Sequence, residues 1–253
     1  AAGAAAAGDD AAAAQQPPQQ QRLVVYLPDS DERAMGYLAG YAPNQWGVGR
    51  DGVRLGDALN ALQGAQATRE ERERRAHPLF GWACMQLLQE VANRRLFSVV
   101  REEKRLTYDA GFHFEGSSRV RGGTYVVSVT SSPGQVRDAV AACGDALQSL
   151  TSFLGITRDT VRAAQKSIVN RFRGNALTNK HWVDALSGVQ LEAVPDKTVE
   201  CASAKAVEDV VMGITPLDVR LLTQYLGLDR PSPVSCVGVS SPTPPRFAGA
   251  AED

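Results

Sequence analysis

The apolar period changes near the middle of the chain, and that change constrains the fold more than any other feature. Tyr108, Ala110, Phe112 and Phe114 alternate with Asp109, Gly111, His113 and Glu115, the period of two expected of a strand with one covered face. Gly122-Gly123 interrupts the run, and a second strand follows from Tyr125 to Val129. Beyond Ser132-Pro133-Gly134-Gln135 the apolar residues fall at Val136, Val140, Cys143, Leu147, Leu150 and Leu154. Those alternating steps of four and three place side chains together only on a helix with one buried face. Ser132 is expected as its N-cap, with Pro133 at the first helical position and Gln135 reaching back. A hairpin followed at once by such a helix predicts a helix lying on a sheet.

The rest of the chain extends this layout. Leu23 to Leu27 reads as a buried strand ended by Pro28-Asp29-Ser30, and a second strand from about Ala34 to Tyr41 stops at Pro43-Asn44. From about Pro78 to Val100, Phe80, Cys84, Leu87, Leu88, Val91 and Val99 trace a helix buried on much of its circumference. A long helix is expected over Arg158 to Ala176, shorter ones near 180–192 and 203–212, and a last one opened by Thr215-Pro216 and closed by Gly227. Val234 to Val239 is the final strand. The order predicts an α+β fold, a mainly antiparallel sheet with helices packed on one face, as one domain over 22–240. Residues 1–21 are Ala, Gly, Gln and Pro with two aspartates, and are expected to be a disordered linker from an upstream domain. The Pro-rich segment 241–253 is expected to be a disordered tail.

Composition removes several function classes. A formal net charge of −1 argues against binding driven by phosphate neutralisation, and no run approaches the roughly 18 apolar residues of a membrane span. Cys84, Cys143, Cys201 and Cys236 form no CxxC pair, and the first two fall on apolar helical stripes, where reduced buried thiols are expected. His77, His113 and His181 are scattered, and HxxEH, GxSxG and P-loop patterns are absent. No metal set of its own is therefore expected in this chain, and His113 is expected to be exposed on a strand. Gly47 to Gly52 matches GxGxxG, but Pro43 to Trp46 intervene after the strand and no acid ends a second strand, so a turn-rich loop is expected. The charge run TREERERR, within 66–75, reads as a solvated connection or a helix entry.

The block Asn93 to Asp109, NRRLFSVVREEKRLTYD, is the most informative for chemistry. A helix delivers Arg101 at its carboxyl end, and a short turn leads to Tyr108 at the start of a strand. Taken singly, Arg101 could complement the helix dipole and Tyr108 could be core. Together, with the NxRLFxxxRE helix and LTYD, they resemble the carboxyl-terminal homologous domain of pitrilysin and insulinase-type zinc metalloproteases. RAMGYLAGYAPNQWG (33–47), HPLFGWACMQLLQE (77–90) and YVVSVTSSPGQVRDAVAAC (125–143) are similar to a plastid branch of that family.

The resemblance implies a clamshell of two homologous halves around a peptide. The other half would hold zinc and the general base, and this half would close over the substrate. It implies that Tyr108 donates its hydroxyl to the oxyanion of the tetrahedral intermediate and that Arg101 hydrogen-bonds the substrate backbone; both groups suit these roles. It further implies a chloroplast stromal endopeptidase acting on the transit peptides of imported precursors, with the upstream catalytic domain as partner. Transit peptides are basic, so acids on the inner wall are expected to attract them. The rival reading is a non-catalytic scaffold or substrate-holding subunit of the same fold; retention of Arg101 and Tyr108 favours the enzyme.

Overall fold

A computed structural model describes residues 21–107, 109–116, 120–152, 154–186 and 204–243. Five strands form one sheet: β1 (Gln21–Pro28), β2 (Arg33–Ala42), β3 (Asp109–Glu115), β4 (Gly123–Ser131) and β5 (Val234–Ser241). The helices described are α1 (Leu55–Gln63), α2 (Arg69–Arg75), α3 (Phe80–Leu96), α4 (Val136–Leu150), α5 (Arg158–Asn175), α6 (Asn179–Leu186), α7 (Ala204–Gly213) and α8 (Pro216–Tyr225). The α+β class and the mainly antiparallel sheet agree with the sequence reading. Residues 1–20, 187–203 and 244–253, with parts of the expected linker, short helices and tail, lie outside the described residues, as does Cys201.

The sheet order is β1-β5-β2-β4-β3. β3 and β4 pair as the expected hairpin, with Phe112 opposite Val127. β1 and β2 do not pair with each other. The final strand enters between them, antiparallel to β2 and parallel to β1. This placement corrects the reading of β1 as buried. As an edge strand it leaves Leu23 58%, Val24 47%, Val25 40% and Leu27 61% exposed. The inner side of β1 and β5 looks onto a cavity of about 600 Å³ bordered by Val140, Gly144 and Gln148 of α4.

The inner face of the other strands is covered. Ala34, Leu38, Phe112, Tyr125, Val127, Val129, Val237 and Val239 are buried there, with α4 against β2 and β4 and α3 against β3. Gly36 makes this approach possible: a Cβ on it would run into Val140 Cγ2. Helix α3 touches β3, α4, α5 and α8, which explains why Phe80, Ala83, Cys84, Leu87, Leu88 and Val91 are all buried. A surface helix would bury one stripe only. On the opposite face Met35, Tyr41, Asp109, His113 and Glu115 stay exposed, so His113 is exposed as the alternation predicts.

Helix α4 stops at Leu150, short of the expected stripe. Leu154 is 80% exposed and Ile156 is buried in its place. Of the two readings of the charge run, the helical one holds, and only the burial of its last residue was unforeseen. It is a helix opened by a capping box between Thr68 and Glu71, and it ends on Arg75, whose side chain is fully buried. Gly47 to Gly52 forms the expected loop: Asn44 Oδ1 accepts from the amides of Trp46 and Val48, and Gly47 and Gly52 take positive φ.

Candidate functional site

Helix α3 does not end as an ordinary α-helix. It continues through Phe97–Glu103 as a π-helical turn, in which the Lys104 amide donates to the Val99 carbonyl at 3.0 Å. Buried Val99 and Val100 anchor the turn in the core while Phe97 and Arg101 face outward. The wide turn changes which residues face solvent, a device often found at functional positions. Arg101 is exposed, and its guanidinium carbon lies 4.9 Å from the centre of the Phe97 ring. That contact steadies a long side chain without consuming its hydrogen-bond donors. Lys104 ties the turn to Asp145 of α4 at 3.4 Å.

The exit from the turn is conformationally unusual. Arg105 has φ 53°, the positive-φ position among the described residues that is not glycine. A non-glycine residue there costs about 1–2 kcal/mol, so its neighbours must hold it. They do. The Leu106 amide donates to the Val100 carbonyl at 3.0 Å, and Ser131 Oγ donates to the Leu106 carbonyl at 2.6 Å. Thr107 Oγ1 accepts from the Asp109 amide at 3.0 Å and lies within reach of the Asp109 and Thr130 carbonyls.

Two side chains of α3 join this helix directly to β3. Asn93 Nδ2 donates to the Phe112 carbonyl at 3.1 Å, and its Oδ1 accepts from the Phe112 amide at 2.6 Å. Gln89 Oε1 accepts from the Phe114 amide at 3.3 Å. An edge strand normally leaves these backbone groups open to another chain. Here the helix satisfies them and fixes the strand relative to the Arg101 turn. Asn93 stands at the head of the NxRLF block, yet sequence reasoning assigned it no role. Its signal was an amide on an otherwise buried helix, which requires a partner.

Of the two sequence-predicted site residues, Arg101 is placed at the exposed end of the turn, and Tyr108 lies outside the described residues. The turn packs against β3 and α4, so the segment that precedes position 108 belongs to the same corner of the fold.

The described residues do not fit a zinc site. No group of three or more His, Cys, Asp and Glu is gathered among them. His77 Nδ1 accepts from the Leu79 amide at 3.1 Å, His113 stands on the exposed sheet face, and His181 makes edge contacts with Phe172 and Trp182. Two of the thiols are not ligands in waiting either. Cys84 and Cys143 are free and buried. Burial, and then the carboxylate of Asp218, push the Cys84 thiol well up; burial pushes Cys143 up to about 12. No described helix is long and apolar enough to cross a membrane.

Comparison with known proteins bears on this arrangement. Residues 82–168, from α3 to the middle of α5, match the peptidase M16 inactive domain. The chain is 38% identical over 229 residues to the chloroplastic stromal processing peptidase of Pisum sativum, covering 85% of this chain and 18% of that protein. Against the Arabidopsis thaliana stromal processing peptidase it is 36% identical over 230 residues, with the same shares. It therefore spans less than a fifth of the length of these relatives. Among solved structures, a peptidase M16 inactive domain from Pseudomonas fluorescens aligns with TM-score 0.57 and 15% identity, over 91% of this chain and 45% of that one. The periplasmic protease PqqL from Escherichia coli aligns with TM-score 0.58 and 10% identity, over 90% and 21%. These structural likenesses concern the fold.

Proposed function

We propose that this chain, which carries the inactive domain of the M16 peptidases and is homologous to the stromal processing peptidases, closes the substrate chamber of a larger zinc endopeptidase. In this reading another part of the full-length protein supplies the zinc and the general base. The substrates are precursors imported into the chloroplast, the bond cut lies at the end of a transit peptide, and the compartment is the stroma. The relatives' name motivates substrate and compartment. No step is assigned to a metal on this chain, because its described residues do not fit one.

Within that reading, Arg101 hydrogen-bonds the peptide backbone beside the scissile bond, and Tyr108 donates its phenol proton toward the oxygen that gains charge as water adds to the carbonyl. The observation that carries the proposal is Arg101 itself. A buried helix ends in a π-helical turn that exposes this one guanidinium, stacked on Phe97 at 4.9 Å. A residue needed only to complement the helix dipole would not require that turn. The exposed sheet face is proposed as the inner wall; it carries Asp109 and Glu115, acids suited to attract a basic transit peptide.

The test is Tyr108→Phe in the full-length protein, which keeps the ring and removes the hydroxyl. The expected result is a fall in kcat of about 10- to 1000-fold with little change in KM or Tm. An unchanged kcat, measured where chemistry limits turnover, would remove the residue from the site and favour the scaffold reading.

A further inference from the structure

We propose that the open edge of β1, with the cavity beside it, binds an extended peptide segment that carries apolar and acidic side chains. The inference goes beyond the reading above, whose substrate is basic and meets acids on the opposite face of the sheet. The two edges of the sheet differ. On β3, Asn93 and Gln89 of α3 take both backbone groups of Phe112 and the amide of Phe114. β1 pairs only with β5 among the described residues. The Gln21 amide donates to the Pro233 carbonyl at 2.8 Å and the Asp29 amide to the Ser241 carbonyl at 3.3 Å. In a parallel ladder that parity turns the odd-numbered residues of β1 toward β5 and the backbone groups of Val24 and Tyr26 away from it. Pro28 shares the outward parity, where a missing amide costs no ladder bond. No lysine stands on β1, its register with β5 runs without a bulge, and Leu23 and Leu27 are more than half exposed. Such an edge is a template for another strand.

The cavity says which side chains the segment brings. Its volume of about 600 Å³ is that of a ligand site. Val24, Leu38, Leu147, Leu228 and Val237 give it apolar walls, and Arg22, Arg137 and Arg230 border it. Asp145 is the one acid among the described lining residues, and it already bonds Lys104. Three arginines against one engaged carboxylate favour an acidic partner. Helix α4 keeps the space open. Gly144 lies inside that helix, where glycine costs about 0.5–1 kcal/mol relative to alanine. No turn requires it, since its φ is not positive, and a Cβ there would meet only Leu38 Cδ1 at 4.0 Å. Ala141, one turn earlier, lines the same wall. A strand added to β1 would pair its backbone with Val24 and Tyr26 and turn every second side chain toward the cavity.

The experiment uses the full-length protein and two capped, dye-labelled peptides followed by fluorescence anisotropy. In the first, threonine alternates with valine, leucine and glutamate; in the second, lysine replaces the glutamate. The first peptide is expected to saturate below about 1 mM and to bind at least about tenfold tighter than the second. Gly144→Leu fills the cavity from a helical position that favours leucine, and should weaken the first peptide at least about tenfold without lowering Tm. Val24→Pro removes an outward amide and should weaken both peptides; it serves alone if Gly144→Leu does not fold. Arg230→Glu should erase the preference for the acidic peptide. Binding unchanged in either folded variant would place the peptide elsewhere and overturn the proposal, as would no saturation by about 1 mM. Dimerisation that Val24→Pro abolishes, without peptide binding, would assign the edge to a second copy and overturn it too. Binding is read without turnover, so failure here leaves the proposed function standing.

Discussion

Two short segments of this chain are almost alike in composition and opposite in fate. Helix α2 reads REERERR, and the end of the π-helical turn with its exit reads REEKR from Arg101 to Arg105. In α2, Arg75 has a fully buried side chain whose Nε donates to Asp218 Oδ1 at 2.7 Å and whose Nη1 donates to Asn60 Oδ1 at 3.0 Å. Arg74 reaches the other oxygen of Asp218 at 2.9 Å, so α2 is fastened to α8 by charge and to α1 by a hydrogen bond. Among the described residues Arg101 meets only an aromatic face, and it remains exposed. The difference lies in the partner and not in the arginine. A guanidinium goes inside where a distant carboxylate is already held by another element: Asp218 closes the capping box of α8 with Thr215. Where no such group waits, the same side chain stays available for a ligand.

The sharpest way to break this contrast is to remove the partner. Asp218→Asn keeps the volume but leaves Arg75 inside without its counter-charge, and should destabilise the fold by about 3–5 kcal/mol, read from urea unfolding. A loss under about 1 kcal/mol would mean that the cluster is wetter than its burial implies. Replacing the pair together, Arg75→Met with Asp218→Leu, should recover much of that loss, the more so because Arg75 Nη2 is buried with no acceptor.

A smaller effect is expected at the start of α2. Thr68 Oγ1 accepts from the Glu71 amide at 3.2 Å, and the Glu71 carboxylate accepts from the Thr68 amide at 2.8 Å. The Thr68 amide chiefly holds the Glu71 carboxyl below the usual glutamate range. Thr68→Ala should cost about 1 kcal/mol near neutral pH. Because the folded pKa is depressed, the contribution of Glu71 is present above its unfolded value and is lost as pH falls through the folded one. The difference between the parent and Glu71→Gln, which keeps an acceptor for the Thr68 amide but cannot ionise, should therefore shrink in acid; a difference that grows would reverse the assignment.

The smallest change in stability belongs to Arg101. Arg101→Ala should alter the unfolding free energy by no more than about 0.5 kcal/mol, since the side chain is exposed and has no carboxylate partner among the described residues. In the full-length protein the same change should nevertheless depress kcat/KM, and Arg101→Lys should not restore it, because an ammonium lacks the planar fork of donors. A large drop in Tm for Arg101→Ala would make the residue structural and erase its contrast with Arg75.

The candidate site was legible in part for a physical reason. The spacing from Arg101 to Tyr108 is local, so a helix, a turn and a strand could be read from neighbouring residues. Asn93, Thr107 and Ser131 were not legible as site residues, because each acts by bonding the backbone of another element, and a backbone group leaves no mark on the sequence that meets it. The same holds for Arg75, whose partner is 143 positions away.

By itself the sequence determined the β3–β4 hairpin, the stripe of α3, that of α4 as far as Leu150, the span of α5 and the start of α8, since period and capping depend on residues within about four positions. It also determined that a turn-rich loop would follow β2. Only the tertiary structure decided that β5 enters between β1 and β2, leaving Leu23 and Leu27 exposed on an edge. It alone decided that the arginine ending one such segment is buried while the arginine opening the other is offered to solvent. Strand order and charge burial are settled by which distant groups meet, and a local pattern of apolar and polar residues carries no record of that meeting.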